Sequence, residues 1–255
     1  MQTVRIVTCN VRLQVEADGE QQFANRAQFL CRTLNALSPD VIGFQEITNK
    51  MRKVMIKLMP SYCFLGSGRE ANRLGEGSVI AYKRTRLMPE RLISDMLSPT
   101  PHIPGSSYGG DQSGCPRIFS SCDLMPIDGG KPFRVMNIHT DHIGKNARML
   151  EVSQLLASYA KENALRPMPT FITGDFNALP DAPEIKLMTD GTGLVDITKD
   201  VGGTYHNYGR LDEPLKIDYI FVSEGTEVGN VIKCTDTAGG LYLSDHYPIL
   251  AELKM

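Results

Sequence analysis

The chain has 255 residues, enough for one large domain or two small ones. With 42% hydrophobic and 22% charged residues and a formal net charge of −2, it has the balance of a folded chain with a sizeable core, and a strongly basic nucleic-acid-binding surface is excluded while a local basic groove is not. No stretch approaches ~18 consecutive apolar residues, and the opening "MQTVRIVTCNV" reads as a strand, so a cytoplasmic chain without a signal peptide or membrane span is expected.

In chain order, "VRIVTCNV" reads as a strand. Residues 21 to 37 carry Phe23, Ala27, Leu30, Leu34 and Leu37 at helical spacing, closed by "SPD". "VIGFQE" is a short, almost wholly apolar strand, followed by a helix through Met51, Val54, Met55 and Leu58. "SVIAYK", "RIFSSCDL" and "FRVMNIHTD" are further strands. Residues 145 to 160 form a helix with Met149, Val152, Leu156 and Tyr159 on one face. After "PTFITGD" come a short helix near 183 to 189 and the late strands "KIDYIFVS" and "PILAELK". No repeat or linker divides the chain, so one domain over 1–255 is expected, with strands and helices layered around sheets. The one long irregular stretch is 94 to 116, "SDMLSPTPHIPGSSYGGDQSGCP"; a loop of that length is usually functional or disordered. The six cysteines, Cys9, Cys31, Cys63, Cys115, Cys122 and Cys234, show no CxxC or zinc spacing and read as reduced, mostly buried thiols; a Cys115–Cys122 disulfide is the alternative.

Several strands end in a polar group: Asn10, Glu46, His139, the pair Asp175 and Asn177 in "TGDFN", Asp218 in "KIDY", and Asp245 with His246 in "LSDHYP". Any one of them reads as a strand meeting solvent. The set is restricted to carboxylates, imidazoles and amides, and chemistry explains the restriction. A hard cation such as Mg²⁺ takes carboxylate oxygens, water and phosphate. Phosphate ester hydrolysis needs a base for water and donors for developing charge. A carboxylate beside an imidazole fixes its tautomer and keeps it cationic.

The motifs "TCNV", "FQE", "GEGSVIAYK", "NIHTDH", "TGDFNALP", "IDYIF" and "SDHYPI", in that order over nearly the whole chain, resemble the endonuclease/exonuclease/phosphatase superfamily of Mg²⁺-dependent phosphoesterases, and within it the deadenylase-like bacterial branch. The resemblance implies a four-layer α/β sandwich, with two central mixed β-sheets flanked by helices. It implies Glu46 as main ligand of Mg²⁺ (Mn²⁺ as the substitute), with Asp245 assisting. Asp175 would deprotonate the attacking water, and Asn177 and Asn10 would hold phosphate oxygens or metal-bound water. His246 would meet the phosphate, supported by Asp218, and His139 would meet it from another side, supported by Glu76. Gly174 would let the backbone turn, and alternation would put Phe176 into the core. Arg12 stands where some nucleases have an acidic residue; that weakens a two-metal scheme and offers a phosphate contact instead. Arg117 and Arg148 resemble residues used near the phosphate, a solvated surface role being the alternative. Asp141 and His142 would stand behind the residues that touch it. His102 and His206 are assigned only to solvent. Tyr108, in "SSYGG", would stack on a base or sugar. The expected substrate is a phosphorylated small molecule, such as a sugar phosphate or nucleotide; nucleic acid is the alternative within enzymes, and a catalytically silent binding module is the reading from another class.

Overall fold

The computed structural model describes residues 2–255. Fourteen strands run in chain order: β1 Thr3–Asn10, β2 Val41–Thr48, β3 Tyr62–Leu65, β4 Glu76–Lys83, β5 Leu87–Met96, β6 Ile118–Pro126, β7 Phe133–His139, β8 Thr170–Asp175, β9 Leu194–Asp196, β10 Asp218–Ser223, β11 Glu227–Lys233, β12 Thr237–Ala238, β13 Leu241–Tyr242 and β14 Ile249–Lys254. Four α-helices separate them: α1 Phe23–Leu37, α2 Asn49–Leu58, α3 Lys145–Leu165 and α4 Pro183–Thr189. One six-stranded sheet has the order β11-β14-β1-β2-β4-β3, a second β5-β6-β7-β8-β10-β9, and β12-β13 form a small ribbon. Each large sheet is mixed: β1/β2 and β7/β8 are parallel, and the other pairs antiparallel.

Three apolar clusters join four layers. Leu30 and Leu34 of α1 and Met51 and Met55 of α2 pack on Val7 and Phe44 of the first sheet. Val4, Ile6, Val41 and Ile80 meet Leu124, Val135, Phe171 and Ile220 between the sheets. Val152 and Leu155 of α3 and Ile185 and Met188 of α4 cover the far face of the second sheet through Met136, Ile138 and Ile172. The four-layer sandwich expected from the sequence is therefore the fold.

Alternation places the site. In β1, Val4 and Ile6 face the second sheet, so Thr8 and Asn10 face it too. The same parity puts Gln45, Asn137, Thr173 and Asp175 between the sheets, beyond the apolar cluster. There Gln45 Nε2 donates to Asn137 Oδ1 at 2.7 Å, Thr173 Oγ1 donates to the same oxygen at 3.1 Å, and Asn137 Nδ2 donates to the Phe44 and Val79 carbonyls at 2.8 and 3.1 Å. This wholly buried network ties the sheets together beneath the polar strand ends. Gly43 permits the approach: a Cβ there would lie 2.0 Å from Thr173 Oγ1.

Six strands were not expected: the four sheet edges β3, β5, β9 and β11 and the ribbon β12-β13; β5 also takes residues 94 to 96 from the stretch read as loop. β3, β9, β12 and β13 are four residues or shorter, and β5 and β11 carry many exposed side chains and a register shift each; without a long buried face the apolar period that marks a strand is missing.

Candidate active site

The strand ladders bring the polar ends together. In β7, β8 and β10, His139 pairs with Asp175 and Asp175 with Asp218 across adjacent strands, so the three stand in one row. Across the sandwich, Asn10 pairs with Gln45, next to Glu46. Between Phe44 and Ile47 the β2/β4 register shifts, and Glu46 there has φ 61°. That bulge turns the carboxylate out of the pleat, and a non-glycine residue at positive φ costs of order 1–3 kcal/mol, which marks a site held by its surroundings. Asn177 has φ 47°, a conformation Asn tolerates. Gly174, expected to make the turn, lies inside β8; its Cβ would meet the Ile138 carbonyl and Cγ2 at 2.6 Å, so close strand approach is what requires it. Phe176 goes into the core, edge-on to Tyr219 and Phe221.

Glu46, His139, Asp175, Asp245 and His246 line a cleft of about 380 Å³ with Arg12, Asn177, Tyr205, Arg69, Glu76, Arg117 and His142. Asn10 Nδ2 donates to Glu46 Oε1 at 3.0 Å and to Asp175 Oδ2 at 2.8 Å, while Leu13 N donates to Glu46 Oε2 at 2.9 Å. His246 Nδ1 lies 2.8 Å from Asp218 Oδ2, and its Nε2 3.7 Å from Asp175 Oδ2. His139 Nε2 lies at the same 3.7 Å from that oxygen. Ligand atoms of Glu46, His139 and Asp175 gather within 4.8 Å of one another, as do those of Asp175, Asp218 and His246. Asp245 stands apart from both groups, 3.7 Å from Arg12 Nε.

Burial and charge set the protonation states. Burial raises the Asp175 carboxyl, and Asp218 adds to it; His246 and the Asn10 amide pull the other way, leaving it near 7. For His246, burial lowers the pKa but Asp218 and Asp175 outweigh it, carrying the imidazole up to about 10. His139 falls well below its usual value through burial and then the guanidinium groups of Arg117 and Arg69. The two histidines therefore differ at neutral pH: His246 is an imidazolium and His139 a neutral ring.

Several expected placements change. Asn10 spends both amide hydrogens on Glu46 and Asp175, so it orients carboxylates and has none left for phosphate. Asn177 gives one to the Thr140 carbonyl at 3.1 Å. Glu76 pairs with Arg69 at 2.5 Å instead of supporting His139. Arg148 is buried between α3 and α4, donating to Glu184 at 2.6 Å and to the Asp141 carbonyl at 3.1 Å, and is absent from the cleft lining. Tyr108 also lies off the cleft, because its hydroxyl donates to Gln154 on α3 at 2.9 Å. Of residues 94–116, Cys115 alone lines the cleft; Asp111 instead caps α3, accepting from the Asn146 and Ala147 amides. His206 is buried and stacked on Tyr247, with ring centroids 3.8 Å apart, and burial lowers it to about 4. His102 is exposed, as expected. Arg117 does reach the cleft, with Nη2 2.8 Å from His142 Nδ1. All six cysteines are free; Cys63 and Cys115 are half-buried and the rest buried.

Three contributors went unnoticed in the sequence. Arg69 lines the cleft from a loop that offers no periodic signal. Tyr205 sets its ring 4.9 Å from that of His246 and bridges it through the backbone. Lys216 is buried, donates to the Asp218 carbonyl at 2.8 Å and sits 3.4 Å above the Tyr219 ring. Its place two residues before Asp218 was the available signal.

The comparisons agree with this architecture. A crystal structure of an endonuclease/exonuclease/phosphatase from Bacteroides vulgatus is 26% identical, with full coverage of both chains and a TM-score of 0.92. A mannosyl-6-phosphatase of Bacteroides thetaiotaomicron is 26% identical, covering 99% of this chain and 100% of its own, with a TM-score of 0.91. An uncharacterized protein of Acanthamoeba polyphaga mimivirus is 26% identical over 90% of this chain and 91% of its own. Residues 7–246 match the family described as Endonuclease/Exonuclease/phosphatase. The chain belongs to that family.

Proposed function

We propose that the protein is a Mg²⁺-dependent phosphoesterase that hydrolyses a small phosphorylated metabolite, a sugar phosphate or a nucleotide. The observation that carries this reading is the row His139–Asp175–Asp218, with cationic His246, facing Glu46 across one cleft. The likeness to a mannosyl-6-phosphatase supports the substrate class.

The donor set fits a hard divalent cation. Each Glu46 oxygen accepts one hydrogen bond and keeps lone-pair capacity, with Asp175 beside it and Asp245 on the same cleft. Such an ion, held by Glu46 and assisted by Asp245, would supply Lewis-acid stabilisation of phosphoryl charge. Asp175 acts as base: with its pKa near 7 it takes a proton from water as the water oxygen bonds to phosphorus. The ester P–O bond breaks and the leaving oxygen departs with that electron pair. His246 donates Nε2–H to a phosphoryl oxygen, with Asp218 holding the ring cationic. Asn10 keeps Glu46 and Asp175 in register.

A phosphate-release screen with and without Mg²⁺ tests this, using sugar phosphates, nucleotides, abasic duplex DNA and phospholipid head groups. Mg²⁺-dependent release from a sugar phosphate or nucleotide is expected. Cleavage confined to abasic DNA, or no release from any of them, overturns the reading.

A further inference from the structure

We propose that Arg69 and Arg117 form an anion subsite that makes the cleft selective for phosphomonoesters over phosphodiesters; this rests on the phosphoesterase reading above. Both residues line the cleft beside Glu46 and His139. They are 9% and 3% exposed, and each keeps a buried nitrogen without a hydrogen-bond partner, Nε of Arg69 and Nη1 of Arg117. A buried charged donor left unpaired is costly, and an anionic ligand removes that cost.

Each guanidinium is braced. Arg69 pairs with Glu76 at 2.5 Å, and its backbone N–H donates to the Glu76 carbonyl at 2.9 Å. Arg117 lies against His142 Nδ1 at 2.8 Å and Asp141 Oδ2 at 3.5 Å. Asp141 is itself occupied by the Ser113, Ile143 and Gly144 amides and the Ser113 hydroxyl, so it orients Arg117 and leaves donor capacity free. The field of the pair reaches His139, where it joins burial in keeping the ring neutral. Asn10 has no amide hydrogen left and Asn177 keeps one, so Arg69 and Arg117 add charged donors to those of His246 and Asn177.

Oxygen counting gives the selectivity. A diester has two nonbridging oxygens, for which a cation held by Glu46 and the His246 imidazolium would be the partners. A monoester has a third, and at neutral pH a second negative charge. That third oxygen is the acceptor for the arginine pair, and charge-assisted guanidinium bonds to phosphate are among the strongest available. Two such nearly buried groups leave room for an oxygen, whereas a second ester arm there would cover them with carbon.

The test compares p-nitrophenyl phosphate with bis(p-nitrophenyl) phosphate in Mg²⁺, for the parent, Arg69→Met, Arg117→Met and Arg69→Lys. Calorimetric binding of inorganic phosphate to EDTA-treated protein accompanies it, and circular dichroism verifies folding. The parent should favour the monoester. Each Met variant should lower monoester kcat/KM by roughly 10–10²-fold, mainly through KM, the worth of a hydrogen bond to a charged group. The monoester-to-diester ratio should fall about tenfold or more, and phosphate binding should weaken by a similar factor. Arg69→Lys, which keeps the charge and loses the fork, should fall between and decides the case if Arg69→Met does not fold. A parent preference for the diester, equal losses on both esters, or phosphate binding indifferent to both arginines overturns the proposal. If the parent releases phosphate from neither nitrophenyl ester nor from any sugar phosphate or nucleotide while phosphate binding still depends on the arginines, the phosphoesterase reading fails and the anion subsite stands.

Discussion

The two ends of the cleft are built differently. At the acidic end, His139, Asp175 and Asp218 stand in one row across adjacent strands, and in the other sheet Asn10 ends β1 while Glu46 stands at the bulge of neighbouring β2. Their spacing follows from strand geometry. At the arginine end, Arg69 belongs to the loop before β4 and Arg117 follows the long loop; both depend on side-chain braces, Glu76, Asp141 and His142. A ladder-built end suits bond-making steps, which need fixed geometry. A loop-built end suits recognition, since loops vary without disturbing the sheets. Substitutions at the first should therefore act on kcat, and at the second on KM, selectivity and stability.

The largest effect should come from Asp175→Asn. Losing a general base typically costs ~10²–10⁴-fold in kcat. The parent rate should climb as pH rises through about 7, since the base must be deprotonated. Steady-state kinetics at neutral pH test it, and retention of more than about a tenth of parent kcat would break the assignment of the acidic end. His246→Ala comes next, at roughly 10²–10³-fold. The parent should lose activity as pH rises through about 10 and His246 loses its proton, a limb the variant should lack; an unchanged alkaline limb would assign it to another group.

Behind Asp141, Glu151 of α3 offers a stability test. It is fully buried, accepts from the Asp141 amide at 2.7 Å through Oε2, and has no partner at Oε1. Burial raises its carboxyl from 4.5 to about 7. Between those values the folded protein holds a proton that the unfolded chain has released, so this contribution is full below about 4.5 and lost as pH rises through about 7. Glu151→Gln, which cannot ionise, should gain on the parent by up to about 3 kcal/mol on going from pH 4.5 to 8. Urea unfolding at both pH values measures it, and parallel stabilities would show that the residue does not titrate there.

The smallest effect should be Asp141→Asn, which weakens the brace on Arg117 without removing the guanidinium. A charge-assisted bond reduced to a neutral one is worth roughly 1–1.5 kcal/mol, or about tenfold in KM, with kcat little changed. An effect confined to kcat would place Arg117 with the bond-making end and erase the distinction between the two.

Most of the acidic end was legible because strand termini carry a local signature: an apolar run that stops at a carboxylate, imidazole or amide. Alternation correctly sent Phe176 to the core, and the short helix expected near 183 to 189 is α4. The sequence also held the family resemblance across residues 7–246. Edge strands β5 and β11 escaped because an exposed strand has no face to bury.

What the sequence determined by itself was the layered fold and the identity of the polar strand ends, since both follow from periodicities of a few residues. Tertiary structure alone decided the partners. Glu76 could serve His139 or Arg69, and Arg148 could face a phosphate or Glu184; nothing local distinguishes these, and packing chose Arg69 and Glu184. Tyr108 was drawn to Gln154 on α3, and Asn10 was consumed by two carboxylates. Buried polar groups must find partners wherever the fold brings them, and most of these partners are tens of residues or more away in sequence.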